Sequence, residues 1–199
     1  IDNISVYEAR IRGGATLAKT YPVDADLVCG VPDSGLASAK GYSEESGIPF
    51  GLAFHKNSYV GRTFIKPTQK ERESSVKIKL SVLESVVKGK RIVLVDDSIV
   101  RGTTISNLIT MLRKAGATEV HVRISSPPFL YPCYFGTDVP SNKQLIASSH
   151  STEEIRQQIG ADSLGYMPIE ELQNMVGDLP ICRACFDSHY PMEVPKQDI

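Results

Sequence analysis

The residues best suited to chemistry form one string: Asp96, Asp97, Ser98, Ile99, Val100, Arg101, Gly102, Thr103 and Thr104, the end of RIVLVDDSIVRGTT. Two adjacent carboxylates can accept hydrogen bonds from a sugar diol, or meet a hydrated Mg2+, which takes a few carboxylates plus substrate oxygens. The loop after them offers backbone N–H groups, hydroxyls and a glycine that permits close approach. A helix beginning at Thr103 adds partial positive charge, and the whole makes a phosphate cradle. A diol site beside a phosphate site describes a ribose 5-phosphate. An acidic turn with a hydroxyl helix cap would explain any one piece. It does not explain apolar, acidic and small-hydroxyl positions in fixed order over the whole string.

The elements that must position these residues follow from the apolar pattern. Apolar runs alternate with helical stretches, the signature of a parallel α/β sheet. Residues 92–95 are a β-branched and leucine run, which reads as a central parallel strand delivering the acidic pair to the sheet's carboxyl edge. Residues 103–115 read as an amphipathic helix ended by Gly116, and 119–124 as the next strand. Upstream, residues 5–20 read as a helix weakened by Gly13 and Gly14. Residues 26–31 read as a buried strand, 36–46 as a helix stopped by Gly47, and 49–54 as a second short strand. After Pro127 and Pro128 the texture becomes irregular, with helices expected near 152–159 and 169–176. The expected division is a single domain over 1–199, with a core to about residue 126 and a C-terminal extension over 127–199.

A second strand–turn–helix junction carries Pro32, Asp33, Ser34 and Gly35. Its N–H groups and hydroxyl could hold a pyrophosphate, with Ser34 reaching the metal. The same residues also serve plain turns, so the junction alone is ambiguous. Residues 55–76 are polar and hold Lys56, Tyr59 and Arg62. A stretch of this length inside a compact domain is commonly functional, and its cations suit a departing pyrophosphate. Of four cysteines, Cys182 and Cys185 form a C-x-x-C pair, which in a reducing compartment argues for metal or redox chemistry. Cys133 is a possible third ligand. Cys29 lies inside a buried strand, where a core role is expected.

RIVLVDDSIVRGTT resembles the phosphoribosylpyrophosphate signature of type I phosphoribosyltransferases. Further stretches, GVPDSG, KNSYVGRTFI, VVKGKRIVLVDD and EEIRQQIGADSLGY, are similar to the glutamine phosphoribosylpyrophosphate amidotransferase family, from about Val6 to Cys185. The resemblance implies the type I fold, a mostly parallel twisted sheet flanked by helices, with an irregular cysteine-containing end. It implies that ammonia attacks C1 of 5-phosphoribosyl-1-pyrophosphate, Mg2+-pyrophosphate leaves, and 5-phosphoribosylamine forms, the first committed step of purine synthesis. Asp96 and Asp97 would serve the diol and metal, and Ser34 the metal and pyrophosphate. Residues 98–104 would hold the 5-phosphate, with Lys56, Tyr59 and Arg62 in a catalytic lid. One subgroup of the family carries a 4Fe-4S cluster. Cys133, Cys182 and Cys185 match three of its ligands, and the fourth lies upstream of Ile1, as does the glutaminase domain that makes the ammonia. Purine nucleotide inhibition and a tetramer are further family implications.

Composition bounds the alternatives. The 199 residues are 41% hydrophobic, with 22 Lys and Arg against 23 Asp and Glu. That length supports a sizeable core, and the near-neutral charge offers no footprint for nucleic acid. No apolar run reaches the roughly 18 residues of a membrane span, and the first residues do not pattern as a signal peptide. A cytoplasmic protein is expected. Another phosphoribosyltransferase would be expected to lack the cysteine triad. A non-catalytic sensor of the same nucleotide sugar would be expected to add a nucleic-acid surface.

Overall fold

A computed structural model describes residues 1–57, 80–137 and 141–194. Among the described residues its centre is a four-stranded parallel sheet ordered Leu27–Gly30, Arg91–Asp96, Glu119–Ile124, Ser163–Tyr166. In chain order the elements are α1 (Val6–Thr20), β1 (Leu27–Gly30), α2 (Leu36–Ser46), β2 (Phe54–Lys56), β3 (Leu80–Val82) and α3 (Glu84–Val87). Next come β4 (Arg91–Asp96), α4 (Thr103–Lys114), β5 (Glu119–Ile124), α5 (Thr152–Ile159), β6 (Ser163–Tyr166), α6 (Leu172–Val176) and α7 (Ala184–Asp187). β2 and β3 pair antiparallel outside the main sheet.

The sheet is buried on both faces, as crossover connections require. On one face, Ile92 and Leu94 of β4 and Val120, Val122 and Ile124 of β5 pack with Ile105, Leu108, Ile109 and Leu112 of α4 and with Ile155 and Ile159 of α5. On the other, Val28, Val93 and Val95 meet Leu17, Ala39 and Tyr42 of α1 and α2, with Met167. The strand register is Val28 against Val93 and Val93 against His121, which brings the carboxyl ends of β1, β4 and β5 to one edge.

Gly14 does not weaken α1. A Cβ there would lie 1.8 Å from the Ser38 carbonyl oxygen, and one on Gly41 would lie 2.0 Å from that of Ile11. The glycines let two backbones touch, and contact replaces the lost helix propensity. The expected strand over 49–54 also takes another form. Pro49 and Gly51 bracket Val28 through two backbone hydrogen bonds of 2.8 and 2.9 Å, and Phe50 makes one parallel bridge to it. The regular strand begins only at Phe54. The helix expected over 169–176 is split, with a 3-10 turn at Ile169–Glu171 before α6.

Candidate functional site

β4 ends at Asp96, which is 7% exposed, and hands the chain to an exposed Asp97. One oxygen of Asp96, Oδ1, accepts hydrogen bonds from the Asp97 N–H at 2.8 Å and from the Ser34 hydroxyl at 3.3 Å. The turn after β1 and the turn after β4 are thus tied through a single carboxylate. Burial pushes the Asp96 carboxyl up to about 7, and the neighbouring Asp97 charge adds to the rise. Ser98 donates its hydroxyl to Asp97 Oδ1 at 3.1 Å.

The loop then folds over the start of α4. Gly102 occupies the N-cap with φ +79°, a conformation that suits glycine. Ile99 is buried in the core, so its side chain anchors the loop instead of facing a ligand. Val100 accepts a hydrogen bond from the Ile146 N–H at 2.9 Å, and Arg101 donates to Gln144. Thr103 and Thr104 are exposed on the first helical turn, where the leading N–H groups of a helix have no intrahelical acceptor. A cavity of about 230 Å3 opens there, lined in part by Arg101, Gly102, Thr103, Ser106, Asn107 and Gln158.

The turn over residues 31–35 sits alongside. Val31 donates its N–H to the Val95 carbonyl and Gly35 donates to Val31, both at 2.9 Å. The Pro32–Asp33 peptide is cis. Gly35 presses against β4 so closely that a Cβ would meet the Val95 oxygen at 2.2 Å. Only glycine allows the two turns to share one edge. Asp33 is exposed and forms an ion pair with Lys56, the last residue of β2. Tyr59 and Arg62 lie outside the described residues. The structure therefore brings Pro32, Asp33, Ser34, Gly35, Lys56 and residues 96–104 to one end of the sheet.

Sequence reasoning missed the supports. Ser125, just after β5, donates its N–H to the Asp96 carbonyl at 2.9 Å and its hydroxyl to the same oxygen at 3.3 Å. Gln144 and Ile146 brace the loop over residues 98–104 from more than 40 residues away. No spacing rule links them to the loop.

Two carboxylates and a hydroxyl on neighbouring turns fit a hydrated Mg2+, which keeps several waters. The cysteines form a second group. Cys133 Sγ accepts the Gly136 N–H at 3.4 Å and the Thr137 N–H at 3.3 Å. Burial raises its thiol, but backbone N–H donors outweigh that and hold it at about 7. The Cys185 carbonyl accepts the N–H groups of Leu130 and Tyr131. Burial lifts the Cys185 thiol to about 11, with Cys133 and Cys182 adding to the rise. A cluster ligand must be a thiolate, which the environment of Cys133 favours and that of Cys185 opposes. Cys29 takes no part. It is fully buried in β1 and its thiol is pushed up to about 12. Among the described residues, no group of three or more His, Cys, Asp or Glu is arranged to close on a metal ion. A cavity of about 320 Å3 lies under the C-terminal segment against Tyr21, Leu130, Tyr166 and Phe186, and its lining has no carboxylate, amine or thiol. None of the described helices is long and apolar enough to cross a membrane.

The carboxyl edge of a parallel sheet thus carries an acidic pair, a loop at the start of α4 and a second tight turn. Residues 5–125 match the phosphoribosyl transferase domain family, and the chain belongs to it. Within that family it is similar along its whole length to amidophosphoribosyltransferases. That of Methanocaldococcus jannaschii is 55% identical over 199 residues, covering all of this chain and 42% of the relative. That of Bacillus subtilis is 54% identical over 205 residues, covering 43% of the relative. A solved glutamine phosphoribosylpyrophosphate amidotransferase from B. subtilis, complexed with ADP and GMP, matches with a TM-score of 0.89 and 52% identity, covering all of this chain and 45% of that one. The chain thus spans less than half the length of the curated relatives it matches.

Proposed function

We propose that this chain performs the phosphoribosyl-transfer half-reaction of an amidophosphoribosyltransferase. Ammonia attacks C1 of 5-phosphoribosyl-1-pyrophosphate, the bond from C1 to the pyrophosphate oxygen breaks, and 5-phosphoribosylamine and pyrophosphate form. The observation that carries this reading is the tie from Ser34 to Asp96. It joins the candidate pyrophosphate turn to the candidate ribose edge, next to the loop at the start of α4. Identity above 50% across the whole chain supports the choice of acceptor.

Each residue then has a physical task. Asp97, exposed beside Ser98, accepts hydrogen bonds from the ribose hydroxyls, while Asp96 orients the Asp97 backbone and Ser34. The N–H groups and hydroxyls from Ser98 to Thr104 hold the 5-phosphate. Lys56 lies beside the turn over 32–35 and offsets charge on the leaving pyrophosphate. Positioning and charge stabilisation of this kind carry most of the rate when ammonia arrives neutral and needs no general base. Asp96, Asp97 and Ser34 would hold Mg2+, which supplies charge neutralisation for the pyrophosphate. In the whole protein, Cys133, Cys182 and Cys185 would hold a structural 4Fe-4S cluster with a ligand from outside the described residues. A glutaminase domain would supply ammonia, purine nucleotides would compete at the phosphate loops, and subunits would assemble as tetramers in the cytoplasm. The single domain over 1–199, with its extension from 127, would be the transferase unit of that assembly.

Incubation with 5-phosphoribosyl-1-pyrophosphate, Mg2+ and ammonium at alkaline pH should release pyrophosphate in proportion to free ammonia. Folded protein that releases none, or releases it only with a purine base as acceptor, would overturn the assignment.

A further inference from the structure

Lys56 and Asp33 are each other's sole ion-pair partner among the described residues. Lys56 closes β2, and Asp33 stands in the turn between β1 and α2. The lysine side chain is 31% exposed and the aspartate 71%, so the pair sits at the rim of the site in contact with water. Both groups lie where the pyrophosphate is read to bind, and the inference rests on that reading.

We propose that Asp33 is a positioning residue that competes with the pyrophosphate for Lys56. An ammonium is a compact point charge, and a carboxylate already paired with it offsets part of its attraction for a second anion. With the turn unliganded, the carboxylate of Asp33 holds Lys56 against the turn, preset near its working place. When a diphosphate enters, the denser anion draws the ammonium away and Asp33 returns to water. Part of the attraction between Lys56 and the diphosphate is spent on breaking the first pair. The device therefore weakens product retention and favours pyrophosphate release. Ion pairs at exposed positions are weak, so the effect is a few-fold and not orders of magnitude.

Calorimetric titration of the 199-residue chain with Mg2+-pyrophosphate tests the idea. Asp33→Asn should tighten binding about three- to fivefold, the range set by a weak exposed pair. Asp33→Glu, which can restore the pair, should return Kd to within about twofold of the original. A bystander carboxylate that merely repels the ligand predicts the same first result, so the deciding arm uses Lys56→Gln. In that background Asp33→Asn should change Kd by less than about 1.5-fold, because the partner it acts through is gone. Equal tightening with and without Lys56, or no tightening at all, overturns the positioning role while leaving the pyrophosphate site intact. An unaltered chain that binds no pyrophosphate overturns the reading of residues 32–35 itself.

Discussion

Replacing Asp96 with asparagine should stabilise the unliganded protein while removing its function. Asp96 is 7% exposed at the end of a buried strand, and burial lifts its carboxyl from the ordinary 3.8 to about 7. Between those values the unfolded chain has lost the proton and the folded chain has kept it. Folding stability must therefore fall as pH rises from about 4 to about 7, and the whole loss is in place above 7. At about 1.4 kcal/mol per pH unit, the interval from 3.8 to about 7 amounts to ~4 kcal/mol. Local relaxation and water entry reduce this, so about 2–4 kcal/mol is expected. The asparagine keeps the Oδ1 acceptor that Asp97 and Ser34 use, and it never carries the buried charge. Urea unfolding in EDTA should show Asp96→Asn more stable at pH 8, by roughly 5–12 °C in thermal terms for a chain of this size. The gain should vanish near pH 4. Destabilisation at pH 8, or a gain independent of pH, would refute the reasoning that this carboxylate is held buried at a stability cost for its ligand.

Other consequences follow from single contacts. Gly35→Ala would drive a Cβ to 2.2 Å from the Val95 oxygen. Separating β1 from β4 should cost about 1–3 kcal/mol or more in chemical denaturation and abolish pyrophosphate binding in the same preparation. Asp26 is held at about 2 by hydrogen bonds from the Arg91 side chain and then its backbone N–H. Its contribution is present above about pH 4 and is lost as pH falls toward 2, so Arg91→Gln should move the acid-unfolding midpoint upward in a circular dichroism titration. Leu108→Ala removes a side chain with no exposed surface from the α4 face of the sheet and should cost about 2–5 kcal/mol by urea unfolding.

The strand carrying the acidic pair was legible because its apolar run is continuous and its partners cover both faces. The same holds for the strand at 119–124, although it buries two polar groups. His121 and Arg123 alternate with Val122 and Ile124, and Ser163 accepts from Arg123 at 3.0 Å on that polar side. β6 was not legible. Its four residues include Gly165, which lies under the Tyr21 ring, so tertiary contact and not an apolar pattern makes it a strand. β2 and β3 are three residues each, too short to show a period. In the candidate site, residues 32–35 and 96–104 stand out in the sequence because each set is contiguous along one turn. Ser125, Gln144 and Ile146 do not, because they act through backbone and side-chain contacts that only the folded sheet edge creates. The Lys56 contact was hidden for the same reason: 23 residues separate it from Asp33, and only the placement of β2 brings them together.

The central claim is that one sheet edge holds a ribose between an acidic pair and a phosphate loop. Structure determination of the chain soaked with 5-phosphoribosyl-1-pyrophosphate and Mg2+ tests it most directly. The account predicts the 5-phosphate on the N–H groups and hydroxyls of Ser98–Thr104, the ribose hydroxyls on Asp97, and the pyrophosphate over residues 32–35. Density for the ligand elsewhere, or with its 5-phosphate away from the start of α4, would contradict it.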